Sequence, residues 1–105
     1  MTESAVSLSA SFRTAFDNRV AHAAADVGKA ERLISSFEEQ LKGGQPVATH
    51  SVEDARRLAN QLNMTGSAFA LEGLNGNISD DDVQTQITKV ERAAERLTVT
   101  LARLG

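Results

Sequence analysis

Cysteine, tryptophan and tyrosine are absent from this 105-residue chain, proline occurs once and phenylalanine four times. Without cysteine there is no disulfide framework, no thiol nucleophile and no thiolate metal site. A single proline, Pro46, leaves long stretches free of the strongest helix breaker. No apolar run approaches the ~20 residues needed to span a bilayer, and the N-terminus lacks the basic and hydrophobic regions of a secretory signal. Charge of one sign is also scarce. Fourteen acidic and eleven basic residues leave a formal charge of −3, and the two signs alternate, so a polyanion meets no electrostatic footprint. The expectation is one soluble, cytoplasmic domain over residues 1–105 that binds neither nucleic acid nor membrane.

What the chain does have is alanine, leucine and valine at helical spacing. Val83, Ile87, Val90, Ala94, Leu97, Leu101 and Leu104 recur in alternating steps of four and three, a heptad seam. Between them stand Gln84, Gln86, Lys89, Glu91, Arg92, Glu95, Arg96 and Arg103, so the predicted third helix has one dry stripe that needs facing helices. A longer seam runs through Phe12, Phe16, Val20, Ala23, Val27, Ala30, Ile34, Phe37 and Leu41. It predicts a first helix of about 45 Å at ~1.5 Å per residue. Gly28 lies inside it without shifting the phase of the seam. Lys42 complements the helix dipole at its end, and Gly43-Gly44 supplies a left-handed stop.

Between these two, Pro46 marks a connector. Ser51 reads as the N-cap of a second helix, with Glu53 and Asp54 in its first turn and Glu53 placed to pair with Arg57. That helix buries Val52, Ala55, Leu58 or Ala59, Leu62, Thr65 or Gly66, and Phe69, and stops at Gly73. Asn75-Gly76-Asn77 is turn chemistry. Ile78 is then a hydrophobic staple and Ser79 the cap of the third helix, with Asp80, Asp81 and Asp82 on its positive end. The spacing of an EF-hand calcium loop is missing around these carboxylates, so they read as capping charge.

The predicted architecture is all-α, an antiparallel three-helix bundle with one long N-terminal helix. The alternative is a four-helix bundle if that helix breaks near Gly28. The Ser/Thr-rich residues 1–11 are expected to be frayed, with an export leader as the rival reading. Because the first helix outreaches the others, Phe12 and Phe16 are expected to form a dimer or partner surface.

Catalysis has little to draw on. Only His22 and His50 could serve as a base, neither has a histidine one turn away, and no glycine loop has the phosphate-cradling pattern. The expectation is a chain without enzyme activity, metal or cofactor.

One stretch carries more than packing. Arg56-Arg57-Leu58-Ala59-Asn60-Gln61-Leu62-Asn63-Met64-Thr65-Gly66-Ser67-Ala68-Phe69 resembles the signature helix of histidine-containing phosphotransfer domains. In that family a phosphorylatable histidine follows Arg-Arg-Leu-Ala and precedes x-Leu-Lys-Gly-Ser-Ala. Asn60 occupies the histidine position, Asn63 the lysine position and Met64 the glycine position. Asparagine cannot carry the labile phosphoryl group or neutralise it, and methionine crowds a surface that glycine leaves open. The resemblance therefore implies a degenerate domain that docks a receiver-like protein through Arg56, Asn60, Asn63, Met64 and Ser67. The competing expectation is a structural subunit or small chaperone of a larger assembly, such as a secretion apparatus or phage particle, that self-associates through the first helix.

Overall fold

The computed structural model describes residues 2–76 and 78–104, with side chains from residue 11 onward. The described residues form three helices, α1 (Thr2–Gly43), α2 (Thr49–Leu74) and α3 (Asp80–Leu104), and no strand. Phe16 meets Phe69 and Asp26 accepts a hydrogen bond from Gln61, so α1 and α2 run in opposite directions. Gly66 faces Val90 while Gly73 faces Val83, which makes α2 and α3 antiparallel as well. The chain is an up-down-up three-helix bundle.

The seams do what their spacing requires. Phe37, Phe69, Leu62, Leu97 and Val90 are fully buried, and Val20, Val27, Ile87, Leu101 and Leu104 close the edges of the same core. α1 is continuous through Gly28, where an added Cβ would touch only Arg32 of the same helix at 3.6 Å, so the four-helix alternative is not adopted.

Length separates α1 from its partners. Its 42 residues give about 63 Å at ~1.5 Å per residue, matching the 64 Å long axis of the molecule. By the same rise the 26 residues of α2 reach only about 39 Å. The difference falls at the N-terminal end. Arg13 is level with Asp82 near the start of α3, and residues 2–12 project beyond the bundle. Helix α1 begins at Thr2, so residues 2–11, expected to fray, are drawn into it.

Several ends differ in detail from the sequence expectation. Gly44 has φ 65°, Gln45 N–H donates to Gln40 O at 2.9 Å and Gly44 N–H to Leu41 O at 3.4 Å, a Schellman stop at the glycine pair as expected. Helix α2, however, starts two residues before Ser51. Its N-cap is Ala48, which makes no side-chain cap bond, while Ser51 N–H donates to Ala48 O at 3.1 Å inside the first turn. The extended ψ of 136° at Ala48 follows Pro46 and Val47 directly, so the backbone enters the helix earlier than the first serine. Arg57 accordingly pairs with Asp54 at 3.2 Å rather than with Glu53. At the other end α2 runs through Gly73 to Leu74, and the left-handed residue is Gly76, φ 75°. Gly73 is a glycine for a different reason. A Cβ there would lie 3.1 Å from Val83 Cγ1, so the position is set by close helix approach. Ser79 caps α3 as expected, accepting from Asp82 N–H at 3.3 Å, and Ile78 is buried in the same core as Val83.

Candidate interaction surface

Helix α2 turns its heptad residues inward, and that leaves a single outward face. Arg56, Asn60, Asn63, Met64 and Ser67 are spaced four, three, one and three residues apart, a stripe along one side of a helix, and all five are exposed. The buried Leu58, Leu62, Gly66 and Phe69 lie on the opposite side of the same turns. Met64 is 73% exposed. The side chains of Arg56, Asn60 and Asn63 have no hydrogen-bond partner among the described residues, whereas Ser67 Oγ donates back to Asn63 O at 3.3 Å. Arg56 and Asn60 also form one bank of a shallow groove of about 450 Å³ whose far bank is Thr98, Leu101 and Ala102 of α3.

Two residues missed by the sequence reading extend this stripe. Leu71 and Leu74 are 63% and 83% exposed and continue the outward face by one and two turns beyond Ser67. Leu74 was concealed by placing the helix stop at Gly73, whereas Leu71 lay inside the predicted helix one turn beyond Ser67. The sequence signal for a later stop was Asn75-Gly76, a stronger pair for a left-handed turn than a lone glycine.

The two phenylalanines expected to form a partner surface part company. Phe12 is 44% exposed at the base of the projecting segment, but Phe16 is buried at 3%. Its ring packs edge-on against Phe69, with centroids 5.6 Å apart, and Arg13 stacks 5.5 Å above it. Phe16 is therefore a core residue, because the end of α2 reaches its level in the bundle.

The polar groups at this end tie helices together. Arg13 spans Asp17 at 3.2 Å and Asp82 at 3.1 Å, and Arg19 pairs with Glu72. The hydrogen bond to Asp82 first, and the field of Asp17 next, raise the Arg13 pKa above its ordinary value. A raised cation keeps its contribution at every pH below its ordinary pKa and loses it only in strong base, so nothing changes on its account near neutrality. Asp82 thus has a structural use, in the cap and in the pair with Arg13.

Neither imidazole stands in a convergent site. His22 is exposed with Nδ1 donating to Asn18 O at 2.8 Å, one turn back on its own helix, and His50 is exposed in the first turn of α2. Among the described residues no group of three or more His, Cys, Asp or Glu could hold a metal ion, and no helix is long and apolar enough to cross a membrane. No protein-family model, curated protein or solved structure matches this chain.

Proposed function

We propose that the chain is a non-catalytic helical module that binds other proteins through the outward face of α2. The observation that carries this reading is the single exposed stripe of Arg56, Asn60, Asn63, Met64 and Ser67, lengthened by the exposed Leu71 and Leu74. A stripe with apolar side chains at its middle and end, and amides free of intramolecular bonds beside them, suits a protein surface that buries the former and bonds the latter. In its sharper form the partner is receiver-like, since Asn60 lies in mid-helix on an open face, where a phosphotransfer domain would need its histidine. Asparagine offers no acceptor nitrogen there, so docking occurs without phosphoryl transfer.

Mixing the chain with phosphorylated receiver proteins and following both binding and acid-labile label tests each part. Binding that is weakened about tenfold or more by Met64→Glu, with no label on this chain, is the expected result. Label appearing on the chain defeats the non-catalytic reading, and failure of every receiver to bind removes the receiver-like partner.

The projecting end of α1 favours a second reading, an assembly subunit that self-associates there, with Phe12 exposed beside the projection. Light scattering across a concentration series separates the two. A monomer at every concentration supports the docking module, and continued growth in mass supports the assembly subunit.

A further inference from the structure

A second surface lies between α1 and α3, away from the outward face of α2. There a groove of about 450 Å³ is floored by Val20, Ala24 and Val27 of α1 and Ala93 of α3. Its α3 bank carries Lys89, Arg92 and Arg96, at intervals of three and four residues, one cation per turn over about 10 Å at ~1.5 Å per residue. All three are exposed, and none of their side chains has a hydrogen-bond or ion-pair partner among the described residues. The arginines that are paired, Arg13, Arg19 and Arg57, lie elsewhere. Charge on α3 is sorted by flank. Glu91 sits on the α2 side, its Cγ 3.7 Å from where a Cβ of Gly66 would be, and Glu95 follows one turn later on that flank. The α1 bank of the groove contributes one carboxylate, Glu31.

An apolar furrow bordered by a row of unpaired cations is complementary to a helix with an apolar seam and carboxylates along one flank. A planar membrane would meet the row but could not reach the floor between two helices. On a second copy the seam of α3 is buried, and the outward stripe of α2 carries one acid, Glu53, three residues before Arg56, which makes no row of carboxylates. We propose that this groove docks an acidic amphipathic helix of another protein, which adds a fourth helix to the bundle. The inference rests on the chain being an interaction module, but it uses a different face from the α2 stripe.

Two synthetic peptides of about 20 residues, long enough to hold a helix, test it against the full chain by fluorescence anisotropy. Both carry the same alanine-leucine seam, one with glutamates on a flank and the other with lysines. The glutamate peptide is expected to bind about tenfold tighter or better, with the difference shrinking as salt is raised. The triple substitution Lys89→Glu, Arg92→Glu and Arg96→Glu reverses the preference. Because all three side chains are exposed, the variant keeps its helical circular dichroism. Equal affinity for the two peptides, or no binding of either, overturns the proposal. So does an unchanged preference in the triple variant. Loss of glutamate-peptide binding on Met64→Glu also overturns it, by moving the peptide to the α2 face, and leaves the interaction-module reading standing. Two further controls name the rival occupants: binding to phosphatidylserine vesicles that the triple variant abolishes, or a dimer that it dissolves, overturns the proposal in favour of a membrane or a second copy.

Discussion

Glycine divides the bundle into two regions. In the α2–α3 hairpin a Cβ at Gly73 would lie 3.1 Å from Val83, tighter than an ordinary contact, and one at Gly66 would lie 3.4 Å from Val90, already in van der Waals contact, so the helices approach most closely at the Gly73 end. In α1 a Cβ at Gly28 would meet only the guanidinium of Arg32, 3.6 Å away on the same helix, and the neighbouring face opens onto the groove shared with α3. Both regions follow heptad seams. The seam fixes which side of each helix points inward, and the size of the residue at each contact fixes how near the next helix comes. A close hairpin with a more loosely seated third rod is the result, and the loose side is where surface remains for a partner.

The largest expected effect tests whether the rods share one core. Phe69 is fully buried and meets Phe16 of α1, so Phe69→Ala should lower unfolding stability in urea by about 3–5 kcal/mol. Phe12→Ala, at a site 44% exposed, should change it by less than about 0.5 kcal/mol. Equal losses would show that Phe12 is covered in solution, by another copy or by a different seating of α1.

Next comes the glycine contrast itself. Gly73→Ala must push against Val83, a stiff β-branched side chain, and the strain of roughly 1–3 kcal/mol exceeds the gain of ~1 kcal/mol in helix propensity. A net loss of about 1 kcal/mol is expected. Gly28→Ala makes only an ordinary contact with the flexible Arg32 side chain and should stabilise by about 0.5–1 kcal/mol. Opposite signs in thermal melts sharpen the comparison. A gain at both sites would mean that the hairpin is no tighter than α1.

Much of this was legible in the sequence, and the reasons for the exceptions are physical. Most inward residues of the three seams follow from spacing, because a helix with one apolar stripe can hide it in only one way, but Ala93 and Thr100 are buried beside the α3 seam and Phe12 of the α1 seam is exposed. The α1 stop at Gly44 and the α3 cap at Ser79 were legible because each has a local hydrogen-bond pattern complete within a few residues. The start of α2 was not. Ala48 carries no capping side chain, so its position is set by the connector after Gly44 and by packing of Val47 on the core. Gly73 looked like a helix stop because sequence cannot distinguish a glycine required by backbone conformation from one required by a neighbour's approach. The α2 stripe was legible as five spaced positions, while Leu74 and the α1–α3 groove depended on where helices end and how far apart they lie.

A third test addresses that difference in capping. Ser79→Ala removes the acceptor for Asp82 N–H and should cost about 1 kcal/mol. Ser51 stands inside the first turn of α2 without that role, so Ser51→Ala should fall within about 0.5 kcal/mol of the parent.

The smallest effect asks what seats α1 against the hairpin. Arg19 reaches from α1 to Glu72 of α2, where Glu72 is the more enclosed partner and its Oε2 is buried without a hydrogen bond. Arg57 and Asp54, by contrast, pair within α2 on an open surface. Arg19→Ala leaves a half-enclosed carboxylate unpaired and should cost about 0.5–1 kcal/mol, while Arg57→Ala should cost no more than about 0.3 kcal/mol. Salt discriminates further. If the seat of α1 is its apolar seam, through Phe16, Ile34 and Phe37, then raising salt to ~1 M, where the Debye length is ~3 Å, leaves hydrogen-exchange protection in residues 16–41 as high as in the hairpin. If the rim pairs of Arg13 and Arg19 hold it instead, protection in α1 falls first while α2 and α3 keep theirs. The seam is the stronger candidate, because three buried side chains of that size outweigh two solvent-screened pairs.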